Sequence, residues 1–454
     1  MLEATVRSLR SRSLPFVLAI LLTGSLAALA MAETLSDGTK VEHWIMPNGL
    51  RVVTRHVPDA HINVVTLCYR LGTLEDPEKQ EGLADLCGQV AITARAGDVP
   101  QRQLAEIDQV RPSGWGLRIA THITELTEAG PKDVFPGVLH QMCQRLRGLV
   151  VTDALVQRER AQVKERLKQN YDANVEGALT LLSAQVSSGK SPERAMRYVS
   201  GEGVESIKPK TVRDLLAERL VPTNSTLSIV GDLQGMDVKK LLERDLGDVP
   251  GGKAGPPIPW GHLMSARGIV NRGDLTEPVM VAGVLSPALS DSMHAYFLAY
   301  ALSIGAQGNV QWGKPSAPLT RRFDFSFAID PELMRYYPPI PIASISGSDP
   351  LDLLFQANSD KIADSTNLRA ASEAAAWLAG GPLIEGVARR VATDPSVTFN
   401  LSQNLAALEQ YGSPEFWADY RRRALGAGQI DPKQMFDYFA NPRRQVTFVL
   451  KPGD

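Results

Sequence analysis

The order of predicted strands and helices is repeated along this 454-residue chain. Alternating apolar residues predict strands over 41–46, 50–56 and 62–71, and further strand-like runs near 116–126. Helical segments follow, the last capped by Thr211 and ending at Leu220, before a closing strand at 226–230. After a stretch rich in proline and glycine, strands again come first, among them one at 340–346, helices follow and a strand closes the chain at 445–450. This pattern predicts two α+β domains of about 200 residues each, with each antiparallel sheet packed against helices.

The same pattern gives the domain boundaries. The first domain is predicted over residues 36–246 and the second over 265–454. Between them, residues 247–264 contain Asp248-Val249-Pro250-Gly251-Gly252 and further prolines, which is typical of a partly extended linker.

The first 32 residues have the pattern of a secretory signal peptide. Three arginines precede an apolar run from Leu14 to Leu29, and small residues follow at Ala30 and Ala32. An uncleaved membrane anchor is the alternative, but the run is shorter than the ~20 apolar residues that a spanning helix needs. No later stretch is apolar enough to span a membrane, so the mature chain is predicted not to cross one.

Composition excludes several classes of protein. There are 48 Lys and Arg against 50 Asp and Glu, a net charge of −2, which leaves no electrostatic footprint for nucleic acid. Three cysteines are too few for a disulfide scaffold or a cysteine-rich zinc array. Cys68, Cys87 and Cys143 lie in apolar-periodic segments, which predicts small buried hydrophobic residues, although one bridge between two of them remains open.

One segment carries a recognisable motif. Asn48-Gly49-Leu50 opens a strand, and a helix with one apolar stripe begins after Gly82-Leu83-Ala84. These residues resemble the start of a pitrilysin/insulinase-type (inverzincin) zinc metallopeptidase domain, and "NSTLSIVGDL" at 224–233 is similar to the strand that closes such a domain. The resemblance covers nearly the whole mature chain. It implies two homologous domains that together form half of a clam-shell.

The resemblance also locates the positions where the family binds zinc. The family has His-x-x-Glu-His directly after Gly-Leu-Ala, with two histidines on zinc and a glutamate that activates water. Here the three positions are Asp85, Gly88 and Gln89, and the distal glutamate position is Arg166. The resemblance therefore implies a vestigial site in which these residues neither catalyse a reaction nor bind metal.

Electrostatics decides whether zinc is expected. An arginine about 4 Å from a divalent cation costs roughly 8 kcal/mol at an effective dielectric constant of about 20. Asp85 would offset part of this cost, but Gln89 is a poor zinc ligand. We therefore expect no cofactor in this chain. Asp85 and Arg166 should instead form a pair, with Gln89 bonded nearby.

Three functions remain open from the sequence. In the first, a secreted and inactive homologue pairs with an active pitrilysin-type zinc peptidase and helps to form its peptide-binding chamber. Only the partner of that heterodimer holds zinc, and self-association is the alternative assembly. In the second, the chain is a binding scaffold with no role in proteolysis. In the third, it is an enzyme with an unrecognised site. The export signal and the resemblance together predict a periplasmic location.

Overall fold

The computed structural model describes residues 41–103, 116–173, 189–261, 263–273, 275–306, 322–326, 330–341, 365–381, 390 and 393–453. The predicted signal peptide at 1–32 lies outside these residues. Within them, no helix combines the length and apolar character that a membrane span requires.

The strands, in chain order, are β1 (Val41–Ile45), β2 (Arg51–His56), β3 (Asn63–Tyr69), β4 (Arg95–Ala96), β5 (Leu117–Ile119), β6 (Thr124–Gly130), β7 (Leu149–Val150), β8 (Ser225–Gly231), β9 (Ala266–Arg272), β10 (Val279–Leu285), β11 (Arg322–Ser326), β12 (Asp330–Pro341) and β13 (Gln445–Pro452). β4 and β7 form a small two-stranded sheet.

The two larger sheets have the same topology. The first has the order β1-β2-β8-β3-β6-β5 and the second the order β11-β12-β10-β13-β9. In each sheet the closing strand lies parallel to the first strand of the shared set, β8 beside β2 and β13 beside β9, and all other neighbours are antiparallel. The five-strand set is therefore built twice, and β1 is an addition to the first sheet. This agrees with the predicted α+β architecture of two similar domains.

The described helices, in chain order, are α1 (Leu83–Thr93), α2 (Phe135–Arg147), α3 (Asp153–Ala173), α4 (Pro192–Val199), α5 (Glu202–Glu205), α6 (Pro209–Arg219), α7 (Val238–Leu246), α8 (His294–Ala306), α9 (Ser365–Leu378), α10 (Pro395–Tyr411), α11 (Pro414–Leu425) and α12 (Pro432–Ala440). No helix or strand occurs between α7 and β9 among the described residues.

Two boundaries differ from those predicted by the sequence. Thr211 was expected to cap a helix, but α6 begins at Pro209, because proline has a helical φ and lacks only an amide that would be unpaired in the first turn. A strand was expected at 340–346. Instead, β12 occupies Asp330–Pro341, and the remainder of the predicted strand lies outside the described residues.

Helices from both halves cover the first sheet. One face shares a hydrophobic core with α1, α2 and α3, including Leu67, Leu126 and Leu86. The opposite face packs against α10 of the second half, where Val53 and Val230 join Leu405 in a second core. All three cysteines are free and buried, as predicted. This arrangement places α1 and α3 against each other on one side of the sheet.

Candidate functional site

A buried carboxylate fixes the start of α1. The Asp76 side chain accepts hydrogen bonds from the backbone amides of Gly82 and Ala84, each at 2.8 Å. Gly82 has a φ of 94°, and a Cβ at this position would lie 2.6 Å from a methyl group of Val204. Only glycine fits this left-handed, closely packed position without strain. The first turn of α1 is therefore held in place from outside the helix.

Asp85 lies within the first turn of this helix and is 5% exposed. One carboxylate oxygen accepts a hydrogen bond from the Tyr198 hydroxyl at 3.0 Å. The other lies 3.5 Å from Nη2 of Arg166. The predicted contact between Asp85 and Arg166 is present, and α4 supplies a hydroxyl that the sequence did not predict.

Gln89 connects the two helices through both ends of its amide. Its oxygen accepts a hydrogen bond from Nη1 of Arg166. Its nitrogen donates to Glu159 at 2.7 Å and to Gln162 at 3.0 Å. Glu159, Gln162 and Arg166 are three and four residues apart, so they share one stripe of α3 that faces α1. This spacing was available in the sequence as a signal for Glu159 and Gln162.

Gly88 faces β5 and β6 rather than the Arg166 contacts. A Cβ there would lie 3.0 Å from Leu117, 3.1 Å from Thr124 and 3.3 Å from Ile119. These side chains fill the space beside α1, and they would have to move by a few tenths of an ångström for even a methyl group. A carboxylate at this position would lie against mainly apolar atoms.

Burial and cations have opposing effects on the acidic groups here. Burial raises the pKa of Asp85, while the charge of Arg166 and the hydrogen bond from Tyr198 act to lower it. Burial likewise raises the pKa of Asp76 to about 7 against the opposing charge of Lys190. Lys190 is itself buried and donates to the carbonyl of Thr73. Side-chain cations therefore compensate the buried carboxylates.

A third buried acid is compensated in the same way. Glu81, the residue before the glycine that starts α1, lies 2.9 Å from Nη2 of Arg197 and 3.1 Å from Nε of Arg194. Burial acts to raise the pKa of Glu81, but the hydrogen bonds from Arg197 and from the amide of Lys79 hold it below its ordinary value. The segment that enters α1 is thus bound to α4 by ion pairs.

The donor set at these positions does not fit zinc. A structural or catalytic zinc ion takes three or four thiolate, imidazole or carboxylate ligands. The positions provide one carboxylate and one amide oxygen, and both already contact the Arg166 guanidinium. In the part of the chain that the structure describes, no group of three or more His, Cys, Asp or Glu side chains is arranged to hold a metal ion.

Comparison with known proteins finds similar structures but no similar sequence. No family model and no curated protein matches the sequence. Among solved structures, the inactive domain of a peptidase M16 from Pseudomonas fluorescens is 13% identical with a TM-score of 0.58, over 91% of this chain and 98% of that one. Pitrilysin is 15% identical with a TM-score of 0.58, over 94% of this chain and 46% of that one. The periplasmic protease PqqL from Escherichia coli is 14% identical with a TM-score of 0.59, over 93% and 48%.

These matches confirm the resemblance to pitrilysin-type peptidases. At 12 to 15% identity they establish a shared fold. The chain is a pitrilysin-like protein in its architecture, and it spans about half the length of pitrilysin and of the E. coli protease.

Proposed function

We propose that this chain is an exported, non-catalytic homologue of pitrilysin-type zinc peptidases that pairs with an active homologue and forms part of its peptide-binding chamber. One observation carries the proposal. At the positions where the resemblance locates the zinc ligands, the Arg166 guanidinium contacts both Asp85 and Gln89. A cation of the chain itself therefore contacts the residues at two of those positions, which supports the absence of zinc chemistry.

The surroundings support this interpretation. The amide nitrogen of Gln89 donates a hydrogen bond to Glu159, and Asp85 accepts one from the Tyr198 hydroxyl. Gly88 has no side chain with which to activate water, and β5 fills the space beside it. The fold resembles that of the peptidases, while other residues stand at the positions of the family's catalytic groups. This combination is typical of a protein that keeps a fold after losing its catalytic activity.

Two comparisons bear on the assembly and the location. The Pseudomonas fluorescens relative in fold is described as an inactive domain, and the E. coli relative as a periplasmic protease. Together with the signal peptide that the sequence predicts in residues 1–32, they favour a periplasmic subunit that works beside an active zinc peptidase.

A tagged pull-down from the native host tests the proposal. We expect a near-stoichiometric homologue with an intact His-x-x-Glu-His motif, identified by mass spectrometry. Peptide hydrolysis should require that homologue and should be lost on addition of a chelator. Recovery of the chain alone, or with proteins unrelated to peptidases, would contradict the partner role and favour a binding scaffold.

A second measurement separates the enzyme alternative. The purified chain alone should hydrolyse no peptide. Hydrolysis that survives a chelator but is abolished by Asp85→Asn or Arg166→Ala would show an active site of a different kind. Lys168→Ala is the matched control, because Lys168 is an exposed cation on the same helix as Arg166.

A further inference from the structure

The first strand of the first sheet has no counterpart in the second sheet among the described residues. Within the part of the chain that the structure describes, β1 pairs with β2 on one side only, so its other side forms an edge of the six-stranded sheet. An edge strand leaves a row of backbone N–H and C=O groups that can pair with another chain. At the end of β1, the apolar side chain of Ile45 is 69% exposed.

Two cavities flank this edge, one on each face of the sheet. Side chains alternate between the two faces along a strand. Val41 and His43 line the first cavity, of about 310 Å³, together with Arg55 of β2. Glu42 and Trp44 line the second cavity, also of about 310 Å³. A strand added to this edge would therefore direct successive side chains into the two cavities in turn.

The first cavity is basic and partly apolar. Arg55 and Arg421 both line it, and Arg421 donates to the carbonyl of Ala379 at 2.8 Å. Among the described residues that line it the acidic one is Glu409, which lies 2.5 Å from Nδ1 of His43. The other wall side chains include Leu405 and Trp417. This lining suits an acidic side chain.

The carboxylates of Glu42 and Asp237 both line the second cavity. Glu42 is exposed and forms one wall. Asp237 accepts the amide of Lys240 at 3.0 Å as the cap of α7. Lys239 also lines this cavity, and its ammonium lies 5.1 Å from the centre of the Trp44 ring. An aromatic wall beside a carboxylate suits the stem and the head of a basic side chain.

We propose that the free edge of β1 binds an extended peptide segment of a partner protein by strand addition, with an acidic side chain in the cavity that contains Arg421 and the adjacent basic side chain in the cavity that contains Glu42. The backbone hydrogen bonds provide affinity, and the two cavities select the register. This binding site does not depend on the proposed pairing with an active peptidase.

The experiment uses a fluorescein-labelled peptide, Gly-Thr-Val-Glu-Arg-Val-Thr-amide, and the mature chain in a fluorescence anisotropy titration. We expect saturable binding that is stronger than that of the Glu-Glu and Arg-Arg versions of the same peptide. Two further versions of the peptide carry N-methyl groups on alternate amides. In one version the methylated amides are those that would face β1, and in the other they are those that would face away from it. Strand addition predicts that one version loses binding and the other keeps it.

Charge reversal tests the cavities. Glu42→Lys should weaken binding of the Glu-Arg peptide about fivefold and strengthen binding of the Glu-Glu peptide, since an exposed charge contact contributes up to about a fivefold difference. Glu277→Lys is the control, because Glu277 is exposed and lines neither cavity. Far-UV circular dichroism checks that both variants are folded.

Three results would overturn the proposal. The first is no binding of any peptide at 1 mM, a concentration that detects even affinities of about −4 kcal/mol. The second is equal binding of both N-methylated versions. The third is a dimer in sedimentation velocity that excludes the peptide, which would assign the edge to a second copy of the chain.

Discussion

Two buried polar regions of the molecule differ in chemistry. Between α1 and α3 the buried groups are charged, with Asp85 and Glu159 bonded through Gln89 and Arg166. Between α10 and the first sheet they are neutral. There Ser402 lies 2.9 Å from the Thr66 hydroxyl, which lies 3.2 Å from that of Thr127. Gln403 donates to the same Thr127 hydroxyl at 3.2 Å.

The difference has consequences for stability. A buried charge that loses its counter-ion costs several kcal/mol, while a hydroxyl that loses one of two partners costs about 1 kcal/mol. The α1–α3 contact should therefore be sensitive to substitution and to pH. The contact made by α10 should be tolerant of both. The α1–α3 contact thus depends on charge balance, whereas the α10 contact does not.

The largest effect is expected for Gly88→Glu. The new side chain would enter the space held by Leu117 and Ile119 and would bring a carboxylate against apolar atoms. We expect a loss of about 3 kcal/mol or more in the free energy of unfolding, measured by urea denaturation. Gly137→Glu is the control, because Gly137 lies exposed in α2 with no atom within 4 Å of a Cβ. Equal stability of the two variants would show that β5 does not fill the site.

Arg166→Ala should have the next largest effect. It leaves Asp85 buried with Tyr198 as its remaining hydrogen-bond partner and leaves the Gln89 oxygen without the guanidinium. Because Arg166 is 28% exposed, we expect about 2 kcal/mol rather than the ~3–5 kcal/mol of a fully buried pair. Lys168→Ala should change stability by less than about 0.5 kcal/mol.

A double-mutant cycle sharpens this result. The combination of Asp85→Asn with Arg166→Ala should cost less than the sum of the two single changes, because neutral Asn no longer needs the cation. Strictly additive losses would show that the two side chains do not interact, and the comparison between charged and neutral regions would then fail.

The pH dependence of stability is the third test. The pKa of Asp76 is raised to about 7 in the folded state, mainly by burial, from an ordinary value of 3.8. The folded chain therefore binds this proton more tightly than the unfolded chain, so the contribution of Asp76 to stability falls as pH rises from about 4 to about 7 and is constant above. The raised pKa of Asp85 acts in the same direction. We expect a loss of about 1 kcal/mol or more between pH 5 and pH 8.

Asp76→Asn should flatten that profile, although it lowers stability at pH 5 by weakening the bonds to Gly82 and Ala84. The same pH profile of stability is measured for His140→Gln, which gives the contribution of His140. Burial acts to lower the pKa of His140, but hydrogen bonds to Asp245 and Asp98 raise it. A raised histidine pKa also removes stability as pH rises, so this contribution must be subtracted. An unchanged profile in Asp76→Asn would contradict the assignment.

The local elements of the first half were readable from the sequence because their signals are local. The hairpin of β1 and β2 follows from Asn48-Gly49, and α1 from its apolar stripe. The contact between Asp85 and Arg166 was predictable because the resemblance aligned both helices. Glu159 could also have been predicted, because its three-residue spacing from Gln162 places both residues on the same face of α3.

The long-range contacts could not be read in this way. Tyr198 reaches Asp85 from α4, which lies more than 100 residues along the chain. α10 crosses to the first sheet although it belongs to the second half. Its polar residues Ser402 and Gln403 have the pattern of a solvated helix face, and only tertiary packing makes them buried.

Ser402→Ala should have the smallest effect and completes the comparison. Thr66 keeps its hydrogen bond with Thr127 when the Ser402 hydroxyl is removed, so no polar group of this pair is left without a partner. We expect a loss of about 1 kcal/mol that is the same at pH 5 and pH 8, because no charge is involved. Ser265→Ala, at an exposed serine before β9, should be neutral. A loss larger than that of Arg166→Ala, or one that varies with pH, would show that the neutral contact carries as much of the stability as the charged one.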